Sequence, residues 1–72
     1  MEIYKYTVNR TYKESYAEYS SIMVGKTMPN IAHGYVFVDD YDEAIRTLES
    51  KYPSDRYVRY DIHLERTNII ET

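Results

Sequence analysis

The chain has 72 residues, with nine Lys or Arg, twelve Asp or Glu, two His, ten Tyr and no Cys. Its length leaves room for one core and so for a single domain over 1–72, since ordinary domains run to roughly 100–150 residues. The lack of cysteine excludes disulfides and thiolate zinc sites, and a formal charge of -3 without a clustered basic stripe argues against binding nucleic acid directly.

Met1-Glu2-Ile3-Tyr4-Lys5 does not form a positive region followed by an apolar one, and no apolar run approaches the roughly 18 residues of a membrane span. A cytoplasmic protein with no membrane partner is therefore expected. The charge is uneven: residues 1–37 hold four cations and three acids, and residues 38–72 hold five cations and nine acids. An acidic second half suits a basic protein partner better than a phosphate backbone.

In chain order, the first predicted element is a strand over Glu2–Asn9, where Tyr4, Tyr6 and Val8 alternate with Lys5, Thr7 and Asn9. Residues 11–24 carry two signals. Tyr12, Tyr16, Tyr19 and Met23 lie at helical spacing behind a Thr11/Glu14 capping pair, yet Tyr16–Val24 is rich in Tyr, Ser, Ile and Val, which favours a strand. The strand is the preferred reading, paired to the first through a turn near Lys13-Glu14-Ser15. Gly25 to Gly34, containing Met28-Pro29-Asn30, then reads as a surface loop. Tyr35-Val36-Phe37-Val38 is a short β-rich run.

A helix is predicted over residues 40–52. Asp40 with Glu43 forms a capping-box spacing, Asp39 and Asp42 complement the helix dipole, and Tyr41, Ala44, Ile45, Leu48 and Tyr52 make one apolar stripe that Pro53 closes. The last predicted strand has Val58, Tyr60, Ile62 and Leu64 alternating with Arg59, Asp61, His63 and Glu65. The expected fold is thus α+β: a small antiparallel sheet of three to four strands with one packed helix, in the order β-β-β-α-β, with β-α-β-α-β as the alternative.

No motif of catalysis or cofactor binding is present. Gly25-Lys26-Thr27 has the ending of a phosphate-binding loop, but position 20 is Ser20 where that motif needs glycine. His33 and His63 each lack a second ligand at helical spacing, so no metal site is expected, and Ser20, Ser21 and His63 occur without a nucleophile-elbow motif. Helix capping already accounts for Asp39, Asp40, Asp42 and Glu43. The expectation is a non-enzyme without cofactor.

The tyrosines carry the binding argument. Tyr4, Tyr6, Tyr41, Tyr52 and Tyr60 fit a core, but Tyr12, Tyr16, Tyr19, Tyr35 and Tyr57 cannot all share one this small. Exposed tyrosine offers large contact area at low entropic cost, so the candidate partner-binding residues are Tyr16, Tyr19 and Tyr57, with Asp61 and Glu65 on the wet face of the last strand. Alternate acids on a strand stand about 6.8 Å apart, which would allow DNA mimicry toward a basic protein; Arg56, Arg59 and Arg66 interrupt that surface. Self-association into a homodimer, as a structural module without inhibitory role, is the competing reading.

From Gly34 to Glu65, a strand ending at Val38, an acidic cap, Asp42-Glu43-Ala44 opening an amphipathic helix, a proline and an alternating strand resemble the small early host-takeover proteins of tailed bacteriophages, the group of the phage T7 inhibitor of bacterial RNA polymerase. The resemblance covers about half the chain. It implies stoichiometric inhibition, in the host cytoplasm, of a host protein of the nucleic-acid machinery: RNA polymerase or a basic DNA-binding or nucleoid protein. It carries no residue roles with it.

Overall fold

The computed structural model describes residues 1–68, in which strand β1 (Glu2–Tyr12), a 3-10 turn (Glu14–Glu18), strand β2 (Thr27–Val38), helix α1 (Tyr41–Lys51) and strand β3 (Val58–Thr67) follow one another. β1 is the central strand of an antiparallel sheet ordered β2-β1-β3. The α+β class and the single packed helix are as expected.

Alternation along β1 fixes the sheet's two faces. Tyr4, Tyr6 and Val8 point to one side and are buried; their cross-strand partners are Val36, Gly34 and Ala32 on β2, and Arg66, Leu64 and Ile62 on β3. α1 covers that side with Ala44 and Leu48, giving one cluster of Tyr4, Val38 and Ala44 and another of Tyr6, Val8 and Leu48. The helix starts as its cap signal requires: Asp40 Oδ1 accepts from the Glu43 N–H at 2.8 Å, and Glu43 Oε2 reaches back to the Asp39 N–H at 2.9 Å. It ends where Tyr52, pushed out of the helical region before Pro53, donates its N–H to the Leu48 carbonyl at 2.8 Å. Tyr41 does not join the core as its place on the stripe predicts. It remains 51% exposed and meets Tyr4 edge-on at 5.8 Å.

Two expectations are corrected. Residues 16–24 are not a strand, and residues 14–18 form one 3-10 turn in place of an α-helix. The Tyr16 N–H bonds to the Lys13 carbonyl and the Tyr19 N–H to that of Tyr16, and a further turn carries the Met23 N–H back to Ser20. Gly25, at φ 80°, completes the reversal, its N–H bonding to the Tyr12 carbonyl at 2.9 Å. Nor is Gly25–Gly34 a loop, because β2 begins at Thr27. Its turn-forming residues build a bulge instead: Pro29, Asn30 and Ile31 stand opposite Asn9 alone, between the Ala32–Val8 and Met28–Arg10 pairs. Asn30 takes φ 52°, which asparagine tolerates, and its N–H is held by Asn9 Oδ1 at 2.8 Å. Pro29 costs no ladder bond there.

Only one face of the sheet carries the helix. The Cα radius of gyration is 14.2 Å, against about 11 Å for a compact chain of this length, and the molecule measures 43 × 22 × 12 Å. A slab this thin has little interior, which is why six side chains account for the buried core among the described residues. The bare face presents Ile3, Lys5 and Thr7 on β1, His33, Tyr35 and Phe37 on β2, and Arg59, Asp61, His63 and Glu65 on β3.

Candidate functional site: a tyrosine ribbon at one end of the sheet

β1 outlasts the helix that covers it. Beyond Val8 its helix-side positions are Arg10 and Tyr12, and from them a continuous aromatic ribbon extends to the end of the molecule. Tyr12 lies 4.6 Å from Tyr16, Tyr16 5.6 Å from Tyr19, and Tyr19 5.0 Å from Tyr57 in a T-shaped pair. The 3-10 turn puts Tyr16 and Tyr19 side by side, and a bond from the Lys13 N–H to the Tyr57 carbonyl at 2.9 Å brings Tyr57 to them from the start of β3. On the other side the Arg10 guanidinium lies 5.4 Å over the Tyr60 ring. The Tyr12 and Tyr60 hydroxyls, Tyr12 foremost, hold Arg10 further toward its charged form. Tyr60 in turn contacts Tyr52 at the helix C-terminus, 6.0 Å away.

The ribbon rests on a rigid support. Asp55 Oδ1 accepts from the N–H groups of Val58 and Tyr57, at 2.9 and 2.7 Å, and these bonds hold its carboxyl below the ordinary range. Lys13 Nζ donates to the Asp55 carbonyl at 2.7 Å, Ser15 Oγ bonds to the Arg56 carbonyl, and Arg56 sits 5.0 Å over the Tyr57 ring. Two loops distant in sequence are thus fastened together. Tyr19 is 68% exposed, while Tyr12, Tyr16 and Tyr57 are half-buried, so ring faces are presented without being free to collapse.

Of the residues singled out from sequence, Tyr16, Tyr19 and Tyr57 come together. Asp61 and Glu65 do not join them: they lie on the bare sheet face, about 13 Å and 26 Å along β3 from Tyr57 at roughly 3.3 Å per residue. Each has a cation for a neighbour there. Asp61 pairs with Arg59 at 3.3 Å, and Glu65 stands directly across from Lys5. Arg10 escaped the sequence reading, and Tyr12, counted there among the surplus tyrosines, was not chosen as a partner-binding residue. Their signal was the continuing alternation of β1, which puts a cation and an aromatic on the same side as Tyr4, Tyr6 and Val8.

His33 and His63 flank Thr7 from opposite neighbouring strands. Among the described residues no three His, Cys, Asp or Glu side chains come together as a metal site would require, and no helix is long and apolar enough to cross a membrane.

One group in the ribbon has a measurable signature. Hydrogen bonding to the Glu18 carboxylate, and then to Tyr19, pushes the Tyr57 hydroxyl up to about 12. The protonated phenol is favoured in the fold, so this contribution to stability is complete below about pH 10 and is lost as the pH rises toward 12. Ultraviolet titration is expected to show a late-ionising tyrosine that Glu18→Ala moves back toward 10. An unchanged titration in that variant would show that Glu18 does not hold the ring.

No protein-family model, curated protein or solved structure matches this chain.

Proposed function

We propose that the chain acts by binding a protein through the ribbon of Tyr12, Tyr16, Tyr19 and Tyr57, as a stoichiometric binder and not as an enzyme. The observation that carries this is their mutual ring contact on a braced support outside both core clusters. Four large side chains held there contribute little to the core, whereas such anchors supply most of the energy at protein interfaces. Following the resemblance of residues 34–65, the partner class is a host protein of the nucleic-acid machinery, and the action is inhibition by occupancy. The ion pair of Asp61 with Arg59 and the place of Lys5 directly across from Glu65 favour aromatic contact over imitation of a phosphate row as the source of affinity.

The test starts with a partner captured from a bacterial lysate and measured by surface kinetics. Tyr16→Ala combined with Tyr19→Ala is expected to raise the dissociation rate about 10- to 100-fold, as loss of central aromatic anchors does. Charge reversal at Asp61 and Glu65 should change the association rate and its salt dependence, with dissociation nearly unaltered. Wild-type kinetics in the folded tyrosine variant would remove the ribbon from the interface.

A further inference from the structure

The edges of the sheet differ in how they are protected. β2 carries Pro29 and the three-residue bulge, both of which interrupt pairing with another strand. β3 has no proline, glycine, lysine or bulge over Val58–Thr67, and its only strand partner among the described residues is β1. The register shows which backbone groups it leaves outward. Tyr57 uses its carbonyl toward β1, on Lys13, so the odd residues of β3 face β1 and the even residues face away. Two of those outward positions are already occupied near the loop: the Val58 N–H and carbonyl bond to Asp55, and the Tyr60 N–H bonds to Ser54 Oγ at 2.9 Å. Beyond them the Tyr60 carbonyl and the N–H and carbonyl groups of Ile62 and Leu64 point outward, with no strand beside them among the described residues.

The side chains on this strand are self-complementary. Reversing Arg59-Tyr60-Asp61-Ile62-His63-Leu64-Glu65 about Ile62 sets the Arg59 cation against the Glu65 carboxylate and the Asp61 carboxylate against the His63 imidazole. Laid antiparallel against a second copy with Ile62 on the two-fold axis, Arg59 falls opposite the partner's Glu65 and Asp61 opposite the partner's His63. On the helix side Tyr60 falls opposite the partner's Leu64, and Ile62 opposite the partner's Ile62. Backbone parity agrees, since Ile62 is an outward-facing residue and would exchange both of its bonds with its copy, while the Leu64 N–H would meet the partner's Tyr60 carbonyl. Neighbouring registers fail on charge: centring on Asp61 opposes it to the partner's Asp61, and centring on His63 opposes Asp61 to the partner's Glu65. The helix-facing residues Val58, Tyr60, Ile62 and Leu64 are all only half-buried in the single chain, so the pairing would also cover apolar surface.

We infer that β3 is a homodimer edge, joining two copies through antiparallel β3–β3 pairing centred on Ile62 into one six-stranded sheet. The occupant is a second copy of this chain, and the charge order of the strand selects it. About five residues a side make a small interface, so the dimer forms in the micromolar range, as a weak and reversible association. Its tyrosine ribbons lie beyond the paired segment, leaving one at each end, so this inference stands independently of the ribbon's partner.

Sedimentation equilibrium of the intact chain is expected to show a concentration-dependent mass reaching twice that of the monomer. Arg59→Glu alone and Glu65→Arg alone should each weaken the dimer about tenfold or more, because symmetry turns two attractions into two repulsions. Arg59→Glu combined with Glu65→Arg keeps both within-chain penalties, next to Asp61 and Lys5, yet restores the charges between copies, so its affinity should return to within about threefold of wild type. A measurement on the wild type alone guards against misfolded variants: amide exchange at Ile62 and Leu64 should slow as concentration rises, with Tyr60 changing less because Ser54 already holds its N–H. A monomer up to millimolar concentration overturns the inference, as does a dimer indifferent to the single reversals or one that the double reversal fails to rescue.

Discussion

Leu48→Asp is expected to abolish the fold. Leu48 is 1% exposed and packs against Tyr6 and Val8, the middle of the larger of the two core clusters. No charged side chain is buried among the described residues, so the carboxylate would be buried unpaired or the helix would have to lift away from the sheet. Either outcome costs several kcal/mol, and a chain of this size rarely gains more than about 3–5 kcal/mol from its core. Lifting α1 also uncovers Tyr4, Val38 and Ala44, since one helix closes both clusters. Circular dichroism should lose the helical signal together with the cooperative melt, and retention of both would mean that the helix does not seat Leu48 on the sheet. Asp at Glu49, an exposed neighbour on the same helix, should leave the melt within about 0.5 kcal/mol of wild type.

The elements that were legible from sequence are those in which local chemistry and burial agree. α1 has a cap at Asp40, a stripe through Ala44 and Leu48 and a stop at Pro53, and each of the three appears in the structure. β3 and the first half of β1 alternate strictly because one side meets the helix and the other meets water. β2 was half hidden because the residues that normally mark a loop, Pro29 and Asn30, here mark a bulge inside a strand. A bulge is defined by the partner opposite, Asn9, which no local pattern reveals. Residues 13–24 misled for the opposite reason: Tyr, Ser, Ile and Val favour pleated structure, but both neighbours that β1 can hold are taken by β2 and β3. The site was legible in its composition and not in its assembly. Tyr16 and Tyr19 stand three apart and Tyr12 and Tyr16 four apart, which suggests contact along one turn, whereas bringing Tyr57 to them depends on the β1–β3 register.

Gly34→Val is expected to lower the melting temperature by roughly 10–20 °C, although by strand preference alone it should raise it. Valine suits a strand better than glycine by up to about 1 kcal/mol. Gly34, however, faces Tyr6 directly across the ladder, and the buried Tyr6 ring lies over it. A Cβ at position 34 would stand 3.1 Å from the Tyr6 hydroxyl oxygen and 3.2 Å from Cε1 and Cζ. Alanine therefore asks the ring to yield by a few tenths of an ångström, a cost close to the gain in strand preference, and Gly34→Ala should stay within about 1 kcal/mol of wild type. Valine adds two methyl groups that the ring must vacate, yet Tyr6 is already held by Val8 and Leu48. Overpacking of this kind costs about 1–3 kcal/mol, and each kcal/mol moves the midpoint of a 60–100-residue domain by about 4–8 °C. Because the penalty belongs to the pair, Gly34→Val together with Tyr6→Leu should be less destabilised than the sum of the single changes. Additive losses, or a valine variant that melts with the wild type, would show that the space over Gly34 is not filled by the Tyr6 ring.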